Sequence, residues 1–133
     1  MITGTGLWIA AIMVAPSAVC TSIGLDPPRT WRFEQRGDTW QVVHWRGTEA
    51  PRAVKLAMPA TARARFANDV VEFKARTSNG GIDIALTGAP DDARLDIYVS
   101  YELEVNVDTS LTPSIDELNT EGPVGVRCRV TPP

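Results

Sequence analysis

Between Leu95 and Val107 the chain alternates without a break. Leu95, Ile97, Val99, Tyr101, Leu103, Val105 and Val107 interleave with Asp96, Tyr98, Ser100, Glu102, Glu104 and Asn106. Successive side chains on a strand point to opposite faces, so this period of two predicts one long strand with an apolar and a polar face. Ile82 to Leu86 alternates in the same way behind Gly80-Gly81. The loop Gly88-Ala89-Pro90-Asp91-Asp92 then joins the two as an antiparallel hairpin. Trp31 to Gln35 and Thr39 to Trp45 flank Arg36-Gly37-Asp38 and predict a second hairpin. Arg52 to Met58 reads as a strand. So does Val124 to Val130, with Val124, Val126, Cys128 and Val130 on one face and Arg127 and Arg129 on the other.

One segment departs from this rhythm. Pro59 to Asp69 is rich in alanine and arginine, a composition that favours a short helix, and Pro59 suits a first helical position. Val70 to Ala75 fits either a continuation of that helix, through Phe66, Val70 and Phe73, or a strand. With Leu7 to Val14 counted, the pattern predicts about eight strands, one short helix and no βαβ alternation. An antiparallel sandwich or barrel follows, as a single domain over residues 1–133.

Composition agrees with that reading. At 44% hydrophobic residues the chain can bury a core, and ten Pro and ten Gly without a period fit many short elements joined by turns. No run reaches the roughly 18–20 apolar residues that a membrane span needs. Gly6 to Cys20 has two readings: the apolar region of a signal peptide ending near a lipid-attachment cysteine, or a buried strand. The lack of a preceding Lys or Arg, and Val19 where processing wants a small residue, favour the strand. Cys20 and Cys128 would close a long loop if paired. Two cysteines are no disulfide framework, and a pair of buried free thiols is the preferred expectation.

The net charge of −3 hides an uneven distribution. Ten of the thirteen basic residues lie between Arg29 and Arg76 against five acids, a local net of +5. From Asp83 onward ten acids face three arginines, a net of −7. Unlike surfaces of this kind suit self-association, or a basic face on an acidic body. No consecutive basic run forms a nucleic-acid-binding arm.

Candidate chemistry is sparse. The single histidine, His44, shares a strand face with Trp40 and Val42 and reads as structural rather than as a catalytic base. No serine sits in a nucleophile elbow, and no Cys/His cluster has metal spacing. No catalytic residue is assigned. Glu102 and Glu104 share the polar face of the long strand, where a solvated or subunit-facing role outweighs glycosidase-type catalysis. Asp91 and Asp92 are weak Ca²⁺ candidates, lacking a glycine-framed calcium loop, and no other cofactor is implied. Arg36-Gly37-Asp38 matches the tripeptide that cell-adhesion receptors engage, but Gly37-Asp38 is also ordinary turn chemistry. Trp40 and Trp45 point to opposite faces of a regular strand, so one is expected outside.

The stretch Gly88 to Val105, with its core Tyr101-Glu102-Leu103-Glu104-Val105 and Pro113 following, resembles the last strand of the shell domain in tombusvirus- and sobemovirus-like coat proteins. Thr3 to Ile12 is similar, more loosely, to a mid-domain strand of that family. The resemblance implies a jelly-roll-like antiparallel β-sandwich that packs with copies of itself into a virion shell. The family's basic arm is missing, and its calcium ligands do not map onto this chain, so nucleic acid is left open as a partner. Trp40, Trp45, Tyr98, Glu102 and Glu104 are the expected interface residues. The alternative is a secreted or lipid-anchored β-sandwich module that binds a protein or carbohydrate.

Overall fold

Residues 16–37, 39–56, 61–76, 81–100 and 118–131 are described in a computed structural model. They form nine strands in one antiparallel sheet: β1 (Ser17–Ser22), β2 (Arg29–Arg36), β3 (Thr39–Arg46), β4 (Arg52–Leu56), β5 (Thr61–Phe66), β6 (Val71–Arg76), β7 (Ile82–Ala89), β8 (Asp92–Val99) and β9 (Val124–Thr131). The order across the sheet is β4-β3-β2-β1-β9-β8-β7-β6-β5. All pairs of the described strands but one are between strands consecutive in sequence. The exception, β1–β9, joins the two halves of the chain.

The expected all-β antiparallel class is observed. The connectivity among the described strands is a meander, with no Greek-key crossover of the jelly-roll kind. Eight antiparallel steps separate β4 from β5, so these two edge strands run in the same direction and are linked by only residues 57–60. The line from Arg52 to Phe66 therefore pairs with β3 in its first half and with β6 in its second. Ring contacts show that the sheet curls to bring these ends together. Trp40 on β3 meets Phe66 on β5 at 6.1 Å and Phe73 on β6 at 4.9 Å, and Phe33 on β2 lies 5.2 Å from Phe73. The result is a barrel-like wrap around one core, which Trp31, Phe33, Phe73, Ile84, Leu86, Leu95 and Ile97 fill.

Within Pro59 to Asp69, where a helix is predicted, Thr61–Phe66 is a strand, β5. Ala62, Ala64 and Phe66 take one face while Arg63 and Arg65 take the other, and all pair with β6 from Thr61↔Arg76 to Phe66↔Val71. Helix propensities differ by only tenths of a kcal/mol per residue, and a full ladder with β6 overrides them. β8 begins at Asp92, earlier than expected, and the rest of the predicted long strand from Tyr101 to Val107 lies outside the described residues. So does the strand expected at Leu7 to Val14.

The free-thiol expectation also fails. Cys20 stands directly opposite Cys128 in the β1–β9 register, and the two form a disulfide. Burial holds as predicted on β9, with Cys128 inward and Arg127 and Arg129 exposed.

Candidate functional site

The inward faces of β2, β3 and β4 change character along their length. Towards one end they carry Phe33, Val42 and Val54, all buried in the core. Towards the other they carry Trp31 and His44, then Arg29, Arg46 and Arg52. Register fixes this arrangement: Arg29 opposes Arg46, Trp31 opposes His44, and His44 opposes Arg52. The alternation that places Phe33 inside on β2 also places Arg29 inside two residues past Trp31. At this end of the barrel the core stops and a basic mouth begins.

A cleft of about 400 Å³ opens there, lined by Arg29, His44, Arg46 and Arg52. His44 is 5% exposed, forming part of the buried floor, whereas Arg46 and Arg52 are exposed. The Arg29 guanidinium lies over the Trp31 ring, 4.8 Å from its centroid. Such stacking fixes the plane of the guanidinium, whose N–H groups point outward along its edge. Trp45 adds a half-buried aromatic wall, and Glu49 and Glu121 supply carboxylates at the rim.

The remaining wall is the segment that leads into β9. Thr120 N–H donates to the Ile97 carbonyl at 3.0 Å, and Ile97 N–H donates to Thr120 Oγ1 at 2.9 Å. The Thr120 hydroxyl in turn donates to the Gly122 carbonyl at 2.7 Å. Asn119 accepts from Glu121 N–H through Oδ1 at 2.9 Å, which supports the positive φ of Glu121 at 57°. The Asn119 carbonyl accepts from Arg29 Nη1 at 3.4 Å. With Leu118 buried in the core, this segment is held in place across the barrel end.

The residues singled out from the sequence are scattered. Trp40 points inward, half-buried, and packs on Phe66 and Phe73. Trp45, its outward counterpart, lies with its ring centroid 5.9 Å from the Arg32 guanidinium and also borders the cleft. Tyr98 is 60% exposed on the outer face of β8, far from the mouth in the strand order. Glu102 and Glu104 lie outside the described residues. Asp91 sits in the β7–β8 turn and Asp92 opens β8; among the described residues no three His, Cys, Asp or Glu side chains gather to hold a metal. Arg36 and Gly37 lead out of β2, and Gly37 has φ 62° as the turn reading expects. The mouth arginines were missed because each looks like an ordinary strand-end charge. Only the register assembles them.

No protein-family model, curated protein or solved structure matches this chain.

Proposed function

We propose that this protein is a small binding module of the secreted kind, taking a ligand into the cleft at the mouth of its curled sheet. The observation that carries this reading is the convergence of Arg29, His44, Arg46 and Arg52, from three adjacent strands, on one concave space of about 400 Å³. Barrel mouths are a common place for ligand sites, where a few polar groups interrupt an apolar lining. The Cys20–Cys128 disulfide supports an oxidising compartment, where such bonds persist.

Self-assembly into a shell is the second reading. It is favoured by the outer face of β6 to β8, where Lys74, Arg76 and Arg94 stand among Glu72, Asp83 and Asp96 beside exposed Tyr98. Light scattering on the purified protein, across concentration and salt, separates the two. A monomer or small oligomer throughout supports the binding module. A particle of many subunits overturns it in favour of the shell.

A further inference from the structure

β5 is the last strand of the sheet, and among the described residues its one ladder is with β6. The turn joining the two fixes which backbone groups that ladder uses. Ala67 N–H donates to the Val70 carbonyl at 2.9 Å, so residue 67 turns its N–H toward β6. Alternation in an antiparallel ladder then gives Thr61, Arg63 and Arg65 to β6, while Ala62, Ala64 and Phe66 direct N–H and C=O to the free side. That side is open at mid-strand. Ala64 lies on the core side between half-buried Ala62 and buried Phe66, yet it is exposed. A row of such N–H and C=O groups is a template for one more strand.

Charge selects what that strand can be. Arg63 and Arg65 stand exposed on the outer side of β5. Arg63 is directly opposite Lys74, an arrangement in which like charges repel. Among the described residues neither of these two lies in an ion pair, and the neighbouring acid, Asp83, is held by Arg76 at 2.8 Å. The surface dips here into a shallow hollow of about 440 Å³, lined by Arg63, Lys74, Arg76 and Asp83. A second copy suits this edge poorly. Pairing β5 with β5 about Ala64 sets Arg63 of one copy against Arg65 of the other, and β4, the other terminal strand, holds no acid. Edges of the same sign keep copies apart.

We infer that the free edge of β5 binds an extended acidic peptide of another protein by strand addition, with main-chain bonds to Ala62 and Ala64 and carboxylates facing Arg63 and Arg65. Same-face side chains on a strand stand about 7 Å apart, so acids at alternate positions match the spacing of the two arginines. The residues between those acids lie beside Ala64, where an apolar side chain covers the open core side. A carboxylate next to Arg63 also relieves its repulsion with Lys74. This edge shares no lining residue with the mouth cleft, and neither site depends on the other.

The test titrates the whole protein with the end-capped peptide Ser-Glu-Val-Glu-Val-Glu-Ser and follows amide shifts and amide hydrogen exchange by NMR. The expected result is saturable shifts along β5. Exchange should slow at Ala62 and Ala64, whose N–H groups gain acceptors, and change little at Arg63 and Arg65, whose N–H groups already bond to β6. Binding should weaken in about 0.5 M salt. The counterpart Ser-Lys-Val-Lys-Val-Lys-Ser should give no saturable shift. Arg63→Gln and Arg65→Gln should each weaken binding about two- to five-fold. Ala64→Pro removes a donor from the free edge and none from the β6 ladder, so it should keep the fold by circular dichroism and lose binding. If that variant does not fold, the two glutamine variants decide. Shifts without slowed exchange at Ala62 and Ala64 overturn strand addition, and equal binding of the lysine peptide overturns the acidic partner. No saturable shift on β5 overturns both. So does protection of Ala62 and Ala64 that grows with protein concentration alone, which makes a second copy the occupant.

Discussion

Glu34 shows how one outer-face side chain draws on its neighbours. Partial burial pushes its carboxyl up. The hydrogen bond from the Gln41 amide and the charges of Arg32 and Arg36 outweigh that, and hold it below the ordinary glutamate value of 4.5. A carboxylate whose folded value is depressed stabilises the fold above its unfolded value, and that contribution is lost as pH falls through the folded one. Arg32 and Arg36 are 37% and 69% exposed, so solvent screens the pairs and they contribute about 1 kcal/mol or less. Denaturant melts of Glu34→Gln are therefore expected to show a small deficit at pH 7 that closes well below pH 4.5. Gly88 carries a different constraint. Its φ is 138°, and a Cβ there would lie 2.6 Å from the Asp92 carbonyl oxygen and 2.7 Å from Ala93 Cα. Both are backbone atoms, so Gly88→Ala should lower stability by about 1–3 kcal/mol or more, read as a shift in the urea midpoint. At this scale the sequence was legible wherever alternation sets the answer. It put His44 and Trp40 on one face and turned Arg127 and Arg129 away from Cys128. It was silent wherever the answer depends on a partner strand, as for the mouth arginines and the cysteines.

At the scale of elements, β7 and the described part of β8 were legible because their period of two is unbroken and a Gly/Pro/Asp turn divides them. β5 was not, because Thr61 to Phe66 carries alanine and arginine, which fit a helix locally. Their strand character comes from β6, already held to β7 on its other side. β1 was obscured by the apolar run that precedes it. Its own alternation, with Ala18, Cys20 and Ser22 buried, spans only six residues. The β1–β9 seam could not be read at all, since its partners are 108 residues apart. A cross-link over that separation constrains the unfolded chain strongly. The double variant Cys20→Ala/Cys128→Ala is expected to lose about 2–5 kcal/mol, and the wild type should lose a similar amount under a reducing agent. Thermal melts with and without reductant check both.

For the molecule as a whole, the wrap explains how a chain of this length forms a mouth. Curling one sheet until Trp40 reaches Phe66 encloses a core and leaves an open end, and the arginines stand where β2, β3 and β4 run out of apolar residues. The same wrap has a consequence in time. Seven of the eight strand pairs join neighbours or near neighbours along the chain, and the eighth, β1 with β9, spans nearly all of it. Contacts of long sequence separation form slowly because loop closure must precede them. The hairpins on either side should form first, and closure of the ring should limit the rate. In refolding from urea the oxidised chain starts with Cys20 already tied to Cys128, so its seam search is short. It should refold roughly ten-fold or more faster than the reduced chain, whose strands must find each other across open solvent. Equal rates would mean that the ring closes before the step that limits folding.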